Sequence, residues 1–240
     1  FTKDGVSLGG NVFYETYDNS KSDTSSTYKR TTYGGNVTLG FPVNENNSYY
    51  VGLGYTYNKI SNFAYEYNRD LYMKSMNLTG NSIKTNDFDF SFGWNYNSLN
   101  RGYFPTKGVK ASLGGRVTIP GSDNKYYKLS ADLQGFYPLD RDHRWVLSGK
   151  ATASYANGLG GKRVPFYQLY TAGGIGSLRG FAYGAVGPNA IYQDKYGQWY
   201  QSTDVVGGNA MATASVELIV PTPFVGDKSQ NSVRTSLFVD

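Results

Sequence analysis

Apolar and polar residues alternate at every second position along most of the chain, which is the periodicity of a β-strand with one apolar face. The clearest segment is 87–96, where five aromatic residues on one face oppose acidic and small polar residues on the other. Nine segments follow this pattern, and we predict a strand over each: 6–17, 32–41, 49–57, 87–96, 109–119, 127–137, 145–155, 210–220 and a last one from 233 onward.

The connections between these segments fall into two alternating sets. All eight prolines lie at or beyond segment ends, as expected because proline cannot donate to a strand ladder. One set is 18–31, 58–86, 120–126 and 156–209, and the other is 42–48, 97–108, 138–144 and 221–232. Three of the first set are long and all of the second are short. This asymmetry predicts an all-β fold, a transmembrane antiparallel up-and-down β-barrel with long extracellular loops and short periplasmic turns.

The composition agrees with a barrel whose strands are apolar on one face only. Hydrophobic residues make up 39% of the 240 residues, and no run approaches the roughly 18 apolar residues of a membrane helix. Many apolar faces begin or end in Tyr, Trp or Phe, as interfacial girdles do. The alternative is a soluble β-sandwich with an aromatic core. It is disfavoured because the opposite faces carry Gly, Ser, Thr and Asn, whereas a face in bulk water would carry more Lys and Glu.

Few residues of the chain suit catalysis or metal binding. Cysteine is absent, and His143 is the single histidine, beside Arg141 and Arg144 in a predicted short turn. Asp87 and Asp89 share a strand face, where a solvated lumen is favoured over acid/base work. The net charge of +5 is scattered, so it does not indicate nucleic-acid binding. We therefore predict no enzyme, no cofactor and no metal site.

A glycine-rich stretch at 173–181 lies inside the longest connection. It contains Arg179 between Leu178 and Gly180, followed by Phe181. An exposed loop tip is the simplest interpretation of such a stretch. However, strand parity points Glu217 into the lumen, together with Thr213 and Ser215. The same counting on the next strand points Arg234, Ser236, Phe238 and Asp240 inward. Guanidinium binds carboxylates bidentately, so we predict that Arg179 pairs with Glu217 and Asp240 if the loop folds inward.

These residues also carry a family resemblance. Leu178-Arg179-Gly180-Phe181 resembles the (V/I/L)RG(F/Y) signature of the inward-folded sixth extracellular loop in the BamA family, with leucine where valine is usual. Further motifs that resemble this family are DGVSLGG at 4–10, NRGYFPT at 100–106, VTIPGSDN at 117–124, FY at 166–167, AGG at 172–174, GGNAMA at 207–212 and PTPF at 221–224.

The resemblance implies that residues 1–240 are part of one sixteen-stranded outer-membrane β-barrel domain, from about the fifth strand into the thirteenth. The N-terminal POTRA domains and the first and last strands would lie outside these residues. It implies non-enzymatic assembly and insertion of β-barrel proteins into the bacterial outer membrane. The implied partners are unfolded β-barrel clients, accessory lipoproteins, and outer-membrane lipid and lipopolysaccharide. A two-partner secretion translocator of the same superfamily and a passive porin are the alternatives. The motif arginine would pair with lumen acids, which map onto Glu217 and Asp240.

Overall fold

A computed structural model describes residues 5–19, 27–225 and 233–240. Most of the described chain is β-strand. In chain order the elements are β1 (Ser7–Asp18), β2 (Lys29–Pro42), β3 (Asn47–Ser61), α1 (Tyr67–Ser75), β4 (Ser82–Asn97), β5 (Gly108–Thr118), β6 (Tyr126–Pro138), β7 (Val146–Gly158), a 3-10 turn (Phe166–Gln168), β8 (Asn189–Gln193), β9 (Trp199–Val205), β10 (Ala210–Val220) and β11 (Thr235–Val239).

Nine of the strands form one sheet in the order β1-β2-β3-β4-β5-β6-β7-β10-β11. Each strand runs antiparallel to its neighbour, from the pairing of β1 with β2 to that of β10 with β11. The nine predicted strands are confirmed, and the largest shift is the start of β4 at Ser82, five residues before the predicted 87. Parts of the predicted connections 18–31 and 221–232 lie outside the described residues, as does Asp4 of the first motif.

The two faces of the sheet differ as the alternation predicts. Large apolar side chains project from the outer face, with Val12 88%, Leu53 59% and Leu113 53% exposed. A soluble protein would cover such a continuous apolar surface, whereas lipid solvates it in a barrel. Phe13 is the apolar exception on the polar face. Its ring lies over Gly34, where an added Cβ would sit 3.0 Å from Phe13 Cζ, so the ring occupies space that a larger residue at 34 would need.

Buried residues form small clusters on the inner side of the sheet. The largest lies at the loop end, where Ile60 and Ile83 pack against Tyr72 of α1 and against Phe166 and Tyr167 of the long connection. A cluster of Phe136, Val146 and Ile219 lies at the end of the short turns. The buried residues of the described chain therefore form separate clusters at the ends of the strands rather than one continuous core.

Helix α1 was not predicted from the sequence. The Glu66 carboxylate caps its N-terminus by accepting hydrogen bonds from the backbone N–H groups of Asn68 and Arg69, at 2.8 and 3.1 Å. Burial lowers the pKa of Arg69, whose guanidinium donates to the Ala64 carbonyl at 2.8 Å. Within the described ranges, no helix has the length and apolar character needed to cross a membrane.

Candidate functional site

The long connection between β7 and β10 folds back on itself as a narrow, hairpin-like loop. Tyr170 and Gly208 exchange two backbone hydrogen bonds of 2.8 and 2.9 Å. Ala172 and Val186 form a second such bridge further along this loop. Because these bridges hold its two sides together, the segment beyond them is a short, well-defined tip.

Glycines allow the tip to turn. Gly173 has φ 121°, and a Cβ on it would lie 2.2 Å from the Ala182 carbonyl oxygen. Gly174 and Gly180 also have positive φ, at 94° and 84°. Only glycine adopts these conformations readily. The backbone of the tip therefore requires glycine at these three positions. The turns they form set the direction in which the Arg179 side chain leaves the tip.

Arg179 binds the barrel wall through most of its hydrogen-bond donors. Its Nε and Nη2 donate to the two carboxylate oxygens of Asp240 at 2.9 and 2.6 Å, and its backbone N–H donates to the same carboxylate at 2.8 Å. Nη1 lies 3.3 Å from Glu217 Oε2, and Nη2 also donates to Ser215 Oγ at 2.8 Å. The hydrogen bond to Asp240 raises the pKa of Arg179, so the guanidinium stays charged.

The wall residues come from two adjacent strands. Ser215 and Glu217 lie two residues apart on β10, and the strand register places Glu217 opposite Phe238 of β11. The Phe238 ring lies beneath the guanidinium, with Arg179 Cζ 3.4 Å from its centroid, a cation–π contact. The Asp240 side chain is 6% exposed, against 24% for Arg179 and 27% for Glu217. The contact is thus partly screened from solvent by the strands and the loop.

The structure brings Arg179, Glu217 and Asp240 together, but not the whole motif. Phe181 is 55% exposed, and its contribution is the backbone carbonyl that accepts a hydrogen bond from the Gly174 N–H at 3.0 Å. Leu178 forms a backbone bridge with Gly174 at the base of the tip. The motif therefore presents one binding side chain on a tightly turned backbone.

Three further contacts were not predicted, although each residue lies on a predicted strand. Ser215 and Phe238 were assigned to the inner face, but neither was expected to touch the arginine. Lys150 of β7 donates from Nζ to the Gly176 carbonyl at 3.2 Å. The sequence indicated only that Lys150 lies on the polar face of β7, and therefore points inward. These residues extend the contact between loop tip and wall over β7, β10 and β11.

The side chains around Arg179 join the loop tip to the inner face of the sheet. The cavity beside Arg179 has a volume of about 170 Å³ and contains no histidine among its lining residues. Asp87 binds Asn124, and Asp89 forms an ion pair with Arg116 at 3.5 Å, so these two carboxylates have separate partners. His143 Nδ1 lies 2.8 Å from Thr106 Oγ1 in the short turns. Across the described ranges, no group of three or more acidic or histidine side chains could hold a metal ion.

This fold and the inward loop define a class of membrane barrels. A family model described as the Omp85 superfamily domain matches residues 1–240, and the chain therefore belongs to the Omp85 superfamily. Its nine-stranded sheet is part of a transmembrane β-barrel of that superfamily.

The comparisons also point to particular relatives. The chain is 34% identical over 248 residues to the outer membrane protein assembly factor BamA of Neisseria meningitidis serogroup B, covering 100% of this chain and 30% of that protein. Its structure is similar to the crystal structure of BamA from Haemophilus ducreyi lacking POTRA domains 1–3, with a TM-score of 0.95 and 58% sequence identity, covering 99% of this chain and 46% of that one. The resemblance inferred from the motifs is confirmed. The chain spans less than half the length of each of these relatives.

Proposed function

We propose that this chain forms the central wall of a barrel that assembles and inserts β-barrel proteins in the bacterial outer membrane. The chain resides in that membrane, and residues 1–240 belong to one barrel domain. The observation that carries the proposal is the binding of the long loop to the inner wall through Arg179. Diffusion through a passive pore needs an open path along the lumen, and here the protein's own loop is bound to the inner face of the sheet, where it would narrow that path.

The proposed activity requires no bond-making chemistry. An assembly barrel lowers the barrier to insertion by thinning the membrane beside a weak seam and by offering exposed strand edges. Unpaired backbone groups on an edge template the pairing of an incoming strand. The family places that seam at its first and last strands. In this scheme the ion pairs of Arg179 with Glu217 and Asp240 hold the loop inside the barrel. Client strands meanwhile pair and insert at the seam.

The proposed partners follow from this role. Unfolded outer-membrane β-barrel proteins are the clients, and accessory lipoproteins of the assembly machine bind mainly through other domains. Lipid and lipopolysaccharide contact the exposed apolar face, represented by Val12 and Leu113. We propose that the barrel is not an enzyme and uses neither a cofactor nor a metal.

The test is an assembly assay with the full-length protein reconstituted in lipid vesicles together with its accessory subunits. An unfolded β-barrel client is added, and its folding is followed by heat-modifiable migration. Arg179→Ala should lower the folding rate several-fold. Arg141→Ala is the matched control, because it removes the same side chain from an exposed position in a short turn. Equal rates for wild type and Arg179→Ala would contradict the proposal.

A second measurement separates the alternatives. Single-channel recording of the same protein should show a mostly closed barrel with rare openings. Steady conductance would indicate a porin. Passage of a client through the membrane, without its insertion as a barrel, would indicate a secretion translocator.

A further inference from the structure

A buried network of polar side chains joins three loop segments at the outer rim. It contains Tyr72 of α1, Asp87 of β4, Asn124 of the β5–β6 turn and Tyr167 at the start of the long loop. Each is less than one tenth exposed, and Asn124 is fully buried. The network lies on β4 and its neighbours, four strand spacings from the β10 residues that bind Arg179. At about 4.8 Å per spacing, this is roughly 19 Å around the wall.

Asn124 is the centre of the network, and each of its side-chain polar groups has a partner. Its backbone N–H and its Nδ2 donate to the two oxygens of Asp87 at 2.9 and 2.7 Å. Its Oδ1 accepts a hydrogen bond from the Tyr72 hydroxyl at 2.7 Å. Nδ2 also donates to the Tyr167 hydroxyl at 3.1 Å. The orientation of the amide is thereby fixed, because a flipped Asn124 would point its oxygen at the Asp87 carboxylate.

The two tyrosines occupy opposite ends of this chain of hydrogen bonds. Burial raises the pKa of both Tyr72 and Tyr167, so both hydroxyls remain protonated. The Tyr72 hydroxyl donates its hydrogen bond to Asn124. The Tyr167 hydroxyl also lies 3.2 Å from Thr85 Oγ1 on β4. Arg30 of β2 donates to the Tyr167 backbone carbonyl at 3.3 Å. Tyr167 is therefore bound to the wall from two strands as well as to the turn.

We propose that Asp87 and Asn124 are positioning residues that anchor the base of the inward loop at Tyr167, independently of the Arg179 contact at its tip. The inference rests on the proposed function in one respect, namely that an assembly barrel keeps this loop inside. Contacts at the tip alone would leave the base of the loop free to move with the outer loops. The network ties the loop base and α1 to the side-chain amide of Asn124, which the Asp87 carboxylate in turn holds in place.

The experiment measures hydrogen exchange by mass spectrometry on the full-length protein in lipid nanodiscs. Asp87→Asn keeps the shape of the side chain but places an amide donor where Asn124 needs two acceptors. Exchange in 67–76 and 166–170 should rise on the order of tenfold or more, because hydrogen bonds to a buried charged group are among the strongest. Exchange in 174–180 should change little. Arg179→Ala should give the opposite pattern.

Two further variants make the test specific. Asn124→Asp alone sets two carboxylates against each other and should also raise exchange. Combined with Asp87→Asn, it restores complementarity, because the amide at position 87 then donates to the carboxylate at 124 and accepts from the backbone N–H. The double variant should return exchange to within about threefold of wild type if this recovers most of the paired hydrogen bonds. Asp132→Asn is the matched control, since the Asp132 carboxylate accepts hydrogen bonds from Ser112 and Thr152 of the wall, away from the loop base.

Three results would overturn the inference: unchanged exchange at 166–170 in Asp87→Asn, a double variant no better than its single parents, or Arg179→Ala exposing base and tip equally. Should Asp87→Asn fail to reach the membrane, Tyr167→Phe removes only the hydroxyl and should raise exchange at 166–170 while leaving the Asp87 pair intact. No change there would equally refute the anchor. Because exchange does not depend on client folding, failure of this inference and failure of the proposed function are distinguishable.

Discussion

An arginine on the outer face of β5 should destabilise the barrel by an amount that depends on its depth in the membrane. Leu113 is the sixth of eleven residues in β5 and is 53% exposed on the apolar face, so it lies near the middle of the band. A charged side chain at the bilayer midplane costs about 2–4 kcal/mol. Leu113→Arg should therefore lower the free energy of unfolding by that amount.

The same strand supplies a depth series. Val109 and Val117 lie on the same face, four residues to either side of Leu113. Four residues span about 13 Å along a strand and, at a tilt of about 40°, about 10 Å along the membrane normal. Since the apolar band is about 25 Å tall, both positions fall near its edges, where the cost drops to about 0–1 kcal/mol. Val109→Arg and Val117→Arg should therefore be much milder than Leu113→Arg.

The inner face gives the control. Ser112 Oγ lies 3.5 Å from Asp132 Oδ2, so an arginine at 112 would find a carboxylate in a wet lumen. Ser112→Arg should cost less than Leu113→Arg, although the two positions are adjacent. The assay is chemical unfolding of the full-length barrel in lipid vesicles. Equal penalties at 112 and 113, or a flat profile across 109, 113 and 117, would refute the assignment of the two faces.

Other predictions concern the loop and the completeness of the sheet. Arg179→Lys should recover only part of the assembly lost in Arg179→Ala, because an ammonium cannot span two carboxylates as a planar fork does; full recovery would show that charge alone suffices. Gly173→Ala should displace the loop tip and impair assembly, since its Cβ would meet the Ala182 carbonyl, whereas Gly176→Ala, with open space around it, should be tolerated in the same assay. Residues 1–240 alone should not refold in detergent to a heat-modifiable monomer, because β1 and β11 are unpaired edges of the described sheet.

The strands could be predicted because their outer faces must be apolar. In β4 the aromatic residues at 88, 90 and 92 alternate with polar ones for a physical reason, since one side meets lipid and the other the lumen. Glu217 and Asp240 could be placed by the same parity. The contact between the Phe238 ring and Arg179 could not be predicted. Parity assigns Phe238 to the inner face, but it does not say which loop residue packs against that face.

Elements in the loops escaped prediction because their stability comes from tertiary contacts. Helix α1 has nine residues, too short to be stable alone, and it forms over a buried cluster that includes Tyr72. The β8–β9 hairpin pairs with a shift in register between Asn189 and Ile191, which weakens any period-two signal. Asn124 lies in the predicted connection 120–126, where strand parity assigns no face to a side chain. Its side-chain partners come from three other segments of the chain, which only the folded structure brings together.

The central claim is that Arg179 holds the loop inside the barrel, and cross-linking tests it most directly. Residues 1–240 contain no cysteine, so Ile175→Cys at the tip and Gln134→Cys on the wall, which line the same cavity, are the only cysteines within this range. In the full-length protein in native membranes, a short bis-maleimide should join them efficiently. Adding Arg179→Ala should sharply reduce the yield, while adding Arg141→Ala should not. Equal yields with and without the Arg179 side chain would contradict the account.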